Sequence, residues 1–311
     1  MAEPVTTREE IWTAGISPGR AIPWWAKIAA KIVLARIPLG YRAWARLGLF
    51  RHGRSDREAA VPVAQYEQVR AQALAATGQE PRQVLELGPG DALGTLLAGA
   101  ARGTTAYTLM DSGDFATRDM AAYRAIASYL ADQGRPVPQA RFEDREAMLA
   151  SLGGRYLTGG VPSLAGMADG SVDLTLSYAV MEHVPRPDMP ALFRELHRVT
   201  APGGVGFHFV DLSDHLGGAL NSLRFSERLW EARWFATRSG FYTNRLREHE
   251  ILALARAAGF SVIVLDRRRF AALPLPHGSL APPFRAMSDE HLSAACFTLA
   301  LRKDYSIVPK C

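Results

Sequence analysis

The sequence predicts an α/β protein built on a doubly wound parallel sheet with helices on both faces. Short apolar segments alternate with helical segments from residue 84 to residue 301, and this alternation is typical of such sheets. The composition supports the same class, because hydrophobic residues make up 48% and charged residues 22% of the 311 residues. These proportions exclude a disordered chain, a collagen and a coiled coil, and the chain is long enough to bury a full core.

Turn residues and changes in periodicity bound the predicted elements. Gly78 and Gly259 each follow a helical segment, and glycine is favoured where a helix ends. The three arginines at 267–269 are expected to lie on a solvated strand edge. In chain order the predicted elements are helix 56–76, strand 84–87, helix 92–101, strand 106–110, helix 115–132, a weak strand at 156–158, strand 172–177, helix 189–199, strand 205–210, helix 245–258, and strands 261–265 and 295–301.

The first 55 residues differ from the rest of the chain in charge. Residues 1–20 are expected to be a loose leader, whereas residues 20–54 hold eight basic side chains and no acidic ones. The whole chain has a net charge of +5, so the remainder is slightly acidic. We predict a basic amphipathic helical extension at 1–55 and a main domain at 56–311. An insertion at about 212–244 is expected on the side where a substrate would bind.

Three roles stay open for residues 20–54. The segment could be a helical lid over the substrate pocket, or it could lie on an anionic membrane with its tryptophans at the interface. The third role, nucleic-acid binding, needs a broad basic surface. No nucleic-acid partner is expected, because the remainder of the chain is slightly acidic. The oligomeric state is not indicated.

The sequence also bears on location. No stretch of roughly 18 apolar residues is present that could span a membrane, and the N-terminus lacks the apolar region of a secretory signal. The two cysteines, Cys296 and Cys311, form neither a disulfide framework nor a zinc motif. We therefore expect a cytoplasmic protein, with the inner membrane surface as the alternative location.

A nucleoside pocket is predicted after the first two strands of the main domain. Gly88 and Gly90 follow the first strand and allow a sharp turn and a close approach to a ligand. Asp111 ends the second strand, where a carboxylate can accept hydrogen bonds from both ribose hydroxyls. Asp91 would repel a pyrophosphate at the helix start, and Glu86 adds a second acid. A positively charged ligand without phosphate therefore fits better than a dinucleotide.

At these residues the chain resembles the class I S-adenosylmethionine-dependent methyltransferases. The matching segments are 86–90, Asp111, 169–184 and 196–204; the usual third glycine of the first motif is replaced by Ala92. The segment at 169–184 is similar to the type 11 branch, and the chain is also similar to bacterial polysaccharide-cluster methyltransferases. The resemblance implies seven strands, the last antiparallel, and S-adenosylmethionine as cofactor. The cofactor-binding residues that it implies are Glu86, Gly88, Gly90, Asp111, Ser112, Gly160, Val161 and Ser177.

The residues after the fourth and fifth strands are the candidates for acceptor chemistry. His183, Asp211 and His215 are the candidate bases, because methylation of a hydroxyl requires removal of a proton. His183 could instead be structural. A metal at 208–215 is not expected, because alternation along a strand turns His208 away from Asp211.

The insertion supplies candidate substrate-binding residues. They are Arg224, Tyr242 and Arg245, since sugars stack on aromatic rings and arginine binds carboxylate or phosphate in a bidentate manner. A helical hairpin packed over the sheet would explain the same pattern.

We therefore expect methyl transfer to a hydroxyl of a glycan or another small molecule. An N- or C-methyltransferase of a secondary metabolite is the alternative enzyme. A module that binds the cofactor without catalysis, as the partner of another enzyme, is the alternative outside enzymes.

Overall fold

A computed structural model describes residues 7–12, 25–26, 59–214, 219–238 and 242–304. Within these residues, eight strands form one sheet in the order β1-β7-β8-β6-β5-β2-β3-β4. β8 is antiparallel to β6 and β7, and the other pairs are parallel. The strands are β1 Arg8–Trp12, β2 Gln83–Leu87, β3 Ala106–Met110, β4 Gly154–Leu157, β5 Val172–Tyr178, β6 Thr200–Asp211, β7 Ser261–Phe270 and β8 Ala294–Arg302.

The α-helices of the described chain lie mainly between the strands. They are α1 Ala60–Thr77, α2 Gly94–Ala100, α3 Met120–Asp132, α4 Arg145–Ser151, α5 Met189–Val199, α6 Glu227–Trp230, α7 Arg233–Arg238, α8 Glu248–Ala257, α9 Pro282–Arg285 and α10 Asp289–Ser293. Gly78 ends α1 in a left-handed conformation, with its N–H bonded to the Leu74 carbonyl. This is the helix ending that the sequence predicts.

Alternating strand residues build a separate core on each face of the sheet. Val84 belongs to the core that includes Tyr66 of α1 and Tyr123 of α3. The next residue, Leu85, belongs to the core that includes Phe193 of α5 and Ile251 of α8. Because successive side chains of a strand point to opposite faces, the helices cover both faces, and the predicted doubly wound α/β class is confirmed.

The strand order places the binding edge of the sheet. β2 lies between β5 and β3, so the connections that leave β2 and β5 run to opposite sides. Ligands of such sheets bind at the carboxyl ends of the strands where the order reverses. The ends of β2, β3 and β5 are therefore the region in which a ligand site is expected.

The prediction of a loose leader at residues 1–20 is wrong for residues 8–12. These residues form β1, which pairs in parallel with β7 and adds an eighth strand to the seven implied by the resemblance. Arg267 is correspondingly half-buried, since it is bonded to Glu248 and lies 2.6 Å from Glu9. The charged residues that pair β1 with β7 are far apart in the sequence. The hydropathy pattern therefore does not predict β1.

Most of the predicted basic extension lies outside the described residues. Within 20–54, only Trp25 and Ala26 are described, and both are helical. No helix among the described residues is both long and apolar enough to cross a membrane.

Arg247, the residue that precedes α8, ties the start of that helix to the antiparallel part of the sheet. Its side chain is 1% exposed, and its guanidinium donates to the carbonyls of Leu212 at 2.9 Å, Leu292 at 3.0 Å and Ala294 at 2.5 Å. Burial lowers the pKa of Arg247 to about 10, which still leaves the group charged at neutral pH. The planar guanidinium can serve several acceptors at once, so one side chain satisfies carbonyls after β6, in α10 and at the start of β8.

We expect Arg247→Leu to lower the free energy of unfolding by about 3 kcal/mol or more, because it leaves buried carbonyls without their donor. Urea denaturation measures this change. The control is Arg256→Leu, an exposed position of the same helix, where a change within about 0.5 kcal/mol is expected. Equal effects of the two substitutions would contradict a structural role for Arg247.

Candidate functional site

A buried carboxylate lies beneath the turn that follows β2. Glu86 is 8% exposed; its Oε2 accepts hydrogen bonds from the Tyr107 hydroxyl at 3.0 Å and from the Thr95 hydroxyl. Burial, together with the Glu86 charge, raises the pKa of Tyr107 well above its ordinary value. Tyr107 therefore stays protonated and remains a hydrogen-bond donor. These donors hold the carboxylate in place at the mouth of the predicted pocket.

Gly88 and Gly90 both have the backbone conformation that favours glycine, with φ of 62° and 74°. The Gly88 N–H donates to the Met110 carbonyl at 2.7 Å, which joins the turn to the end of β3. A Cβ placed on Gly88 would lie 2.4 Å from Cγ2 of Val180. The turn after β2 and the segment after β5 are therefore in direct contact, and only glycine permits that contact.

The loops after β3 and β4 also meet. Asp111 accepts the Ser112 N–H at 2.7 Å through its Oδ1, and its own carbonyl accepts the Gly160 N–H at 2.9 Å. Val161 begins the 3-10 helix Val161–Gly166 immediately afterwards. The structure thus brings together four of the residues that the sequence predicts as cofactor-binding, at the edge where the strand order reverses.

Ser177 is tied into the sheet through a buried histidine. The Ser177 hydroxyl lies 2.8 Å from Nδ1 of His208, and the Thr175 hydroxyl lies 3.1 Å from Nε2. Burial lowers the pKa of His208 to about 3, so its ring is neutral. His208 therefore fastens β5 to β6 from within, as expected for a residue turned away from Asp211. The Ser177 hydroxyl is already engaged in this contact.

The segment after β5 is held by residues 242–244. Asn244 Nδ2 donates to the carbonyls of Met181 at 2.8 Å and Val184 at 3.0 Å, and the Asn244 N–H donates to the Glu182 carbonyl at 2.7 Å. His183 Nδ1 lies 2.9 Å from the Tyr242 carbonyl oxygen. Since a carbonyl oxygen only accepts, Nδ1 is the protonated nitrogen of the neutral ring.

Glu182 is a buried acid that the sequence-based prediction of site residues does not include. Its side chain is 2% exposed, and burial, followed by the charge of Asp211, raises its pKa well above the ordinary value. Perturbed acids often mark functional sites. The sequence signal was present, because Glu182 lies directly before His183, but its burial depends on tertiary packing.

The remaining candidate bases lie after β6. Asp211 Oδ1 accepts hydrogen bonds from the N–H of Ser213 at 2.9 Å and from its hydroxyl at 2.7 Å. Asp214 accepts the N–H of Asn221, which closes the loop that follows. His215 lies outside the described residues.

Arg245, which the sequence predicts to bind substrate, makes its described contacts within the fold. It is 4% exposed and donates to the Phe225 carbonyl at 2.6 Å, while its guanidinium lies 5.2 Å from the ring centres of Trp230 and Phe284. Burial lowers its pKa to about 10. The guanidinium is thus held within the fold by the rings of Trp230 and Phe284.

The two other predicted substrate residues also make contacts within the insertion. The Tyr242 hydroxyl donates to Glu231 at 2.8 Å, and burial raises the pKa of Tyr242. Arg224 Nε donates to the Asn221 side chain at 3.2 Å. Both residues therefore contact other residues of the predicted insertion.

Comparison with protein families gives one match over most of the chain. A family model described as a methyltransferase domain matches residues 57–265. An uncharacterized methyltransferase of Mycobacterium sp. (strain KMS) is 41% identical over 91 residues, covering 25% of this chain and 35% of the relative. One of Mycobacterium marinum is 44% identical over 73 residues, covering 20% and 28%. The matches span about a third of the length of these relatives.

Solved structures of the same kind are also similar to this chain. An S-adenosylmethionine dependent methyltransferase from Mesorhizobium loti is 17% identical, with coverage of 77% of this chain and 97% of that one and a TM-score of 0.43. The 1,6-didemethyltoxoflavin-N1-methyltransferase of Burkholderia thailandensis, solved with 1,6-didemethyltoxoflavin and S-adenosylhomocysteine, is 16% identical, with coverage of 95% and 94% and a TM-score of 0.42. At such identities, function has to be argued from the site of this chain.

We expect Gly88→Ala to destabilise the protein by about 2–5 kcal/mol, because it adds a strained backbone conformation and a clash with Val180. The matched control is Gly78→Ala, since Gly78 also has a positive φ of 71° but nothing within 4 Å of the added Cβ. The control should cost only the backbone term of about 1–2 kcal/mol.

Urea denaturation of the two single variants and of Gly88→Ala combined with Val180→Ala measures the clash separately. Removal of the Val180 methyl groups should recover part of the loss. Equal costs for Gly78→Ala and Gly88→Ala would contradict a tight contact between the two loops.

Proposed function

We propose that this chain, which belongs to the methyltransferase domain family, transfers a methyl group from S-adenosylmethionine to a hydroxyl oxygen of a glycan or another small molecule. The observation that carries the oxygen acceptor is the hydrogen bond from His183 Nδ1 to the Tyr242 carbonyl at 2.9 Å. With the hydrogen on Nδ1, the lone pair of the neutral ring lies on Nε2. In this tautomer, Nε2 is the ring atom that would accept a proton.

The residues at the ends of β2, β3 and β4 fit the cofactor. The buried Glu86 carboxylate favours a cationic group and disfavours a phosphate. Gly88 and Gly90 allow main-chain contact with the methionine part, and Asp111 with Ser112 would bind the ribose hydroxyls. Gly160 and Val161 follow β4, next to Asp111, and would flank the adenine. Each of these assignments uses a residue whose position follows from the contacts described above.

Bound S-adenosylmethionine would supply a methyl group carried on a sulfonium. The sulfur–methyl bond would break as the acceptor oxygen bonds to the methyl carbon, leaving the thioether of S-adenosylhomocysteine. The chain must orient the acceptor hydroxyl, exclude water and take up the proton. His183 Nε2 would take the proton. Val180, three residues before His183, packs on Gly88, which links the base-bearing segment to the cofactor turn.

Calorimetric titration of the purified protein with S-adenosylhomocysteine tests the cofactor site. Asp111→Ala should weaken binding by about 1–3 kcal/mol, as expected for a lost charge-assisted hydrogen bond. Asp132→Ala, at an exposed position at the end of α3, is the control and should leave the affinity unchanged. Equal affinities of the wild type and Asp111→Ala would remove Asp111 from the ribose site.

His183→Gln should lower kcat by about 10²–10⁴-fold, the usual contribution of a general base, while S-adenosylhomocysteine affinity stays the same. His277→Gln is the control, because His277 is exposed and bonded to Asp289 at 2.6 Å. Normal turnover of His183→Gln would favour a nitrogen or carbon acceptor, or Asp211 as the base. Cofactor binding without turnover on any acceptor would favour the non-catalytic module.

A further inference from the structure

A cavity lies between α1 and the face of the sheet that α1 covers. Its volume is about 480 Å³, which is within the range of about 300–1,000 Å³ that is typical of small-molecule sites. Glu86 and Ser177 contribute to its lining, so the cavity reaches the carboxylate beneath the glycine turn. It extends from there toward β7 and β1, through Leu265 and Arg8.

One wall of the cavity is a row of amide side chains. Gln65, Gln68 and Gln72 of α1 all line it, and their spacing of three and four residues places them on one face of the helix. The apolar face of α1 is a different one, because Tyr66 and Ala73 are buried in the core. Each amide offers both donors and acceptors without a net charge.

The floor of the cavity is aromatic. Tyr178 and Phe209 stack with ring centres 4.6 Å apart and an angle of 20° between their planes, and both line the cavity together with Phe207. Tyr178 is 41% exposed although it ends a central strand. A large, exposed ring that is held in place by a second ring is suited to stacking against a flat ligand surface.

The described residues contribute equal numbers of arginines and acids to the lining. Arginines at 8, 267 and 268 and acidic residues at 10, 86 and 266 contribute to it. Glu10 lies 2.8 Å from Arg8 and 3.1 Å from Arg268, and Arg267 is bonded to Glu248. These ion pairs partly neutralise the arginines, which weakens their attraction for a phosphate or carboxylate.

From these features we infer that the cavity binds a neutral sugar, whose ring stacks on Tyr178 and whose hydroxyl groups are hydrogen-bonded by the glutamine row. An acyl chain would leave three amides without partners, which is costly once they are covered. A nucleoside diphosphate sugar would bring two or more negative charges to a lining with paired arginines. A neutral polyhydroxylated ring satisfies both the amides and the aromatic floor.

The inference rests on the proposed function in one respect, namely that the bound sugar is the methyl acceptor. A sugar hydroxyl oxygen would then form the new bond to the methyl carbon as the sulfur–methyl bond breaks, and its proton would pass to His183 Nε2. The part of the cavity lined by Ser177 and Tyr178 lies at the end of β5, the strand that leads to His183. A sugar bound in that part of the cavity would lie near the carboxyl end of β5.

Saturation-transfer difference NMR on the full-length protein tests the ligand class directly. The probes are the methyl glycosides of neutral hexoses and 6-deoxyhexoses, with UDP-glucose and methyl glucuronoside as charged counterparts. We expect saturation transfer to neutral glycosides and none to the charged probes. No transfer to any neutral glycoside, or stronger transfer to the charged probes, would overturn the inference.

Variants assign the binding to this cavity. Tyr178→Ala and the double variant Gln68→Ala with Gln72→Ala should each weaken the best neutral glycoside at least tenfold, whereas Tyr178→Phe keeps the stacking ring and should stay within twofold. Gln79→Ala, an exposed glutamine beyond the end of α1, is the matched control. Urea midpoints close to that of the wild type exclude unfolding as the cause. Unchanged affinity in Tyr178→Ala would overturn the assignment.

Titration of the same samples with S-adenosylhomocysteine separates this inference from the proposed function. Cofactor binding without any glycoside binding would overturn the sugar site and leave the methyltransferase proposal standing. Glycoside binding that depends on Tyr178, without cofactor binding, would support the sugar site and contradict the proposed function.

Discussion

The contact between Gly88 and Val180 is the constraint on which the candidate site depends. β2 and β5 are neighbouring strands. The segments that follow them touch because Gly88 has no side chain. That contact sets the position of residues 180–183 relative to the glycine turn. If a side chain separated the two loops, the glycine turn and the segment that leads to His183 would lie farther apart.

Buried polar groups fix the geometry around this contact. Glu86, His208 and Arg247 are each 8% exposed or less, and each bonds to groups on other strands, helices or loops. Such groups are costly to bury unless they are satisfied, so each arrangement tolerates little displacement. The site residues therefore rest on a rigid frame, as the alignment of two reactants requires.

Several arginines of the described residues are used within the fold. Arg245 and Arg247 lie two residues apart and are both buried, and Arg267 is paired with acids on β1 and α8. In the described part of the chain, the cavity beside α1 is instead lined by amides, aromatic rings and paired ions. That lining supports the proposal that a neutral acceptor is recognised through hydrogen bonds and stacking.

The amino-acid sequence by itself determined the α/β class, the glycine turn and the residues that end β2 and β3. These features depend on local periodicity, on backbone freedom at Gly88 and Gly90, and on the spacing to Asp111, all of which are readable along the chain. Tertiary structure alone decided the pairing of β1 with β7, the burial of Arg245 and Glu182, and the cavity beside α1. Each of these depends on contacts between residues distant in sequence, because burial and charge pairing are properties of neighbours in space.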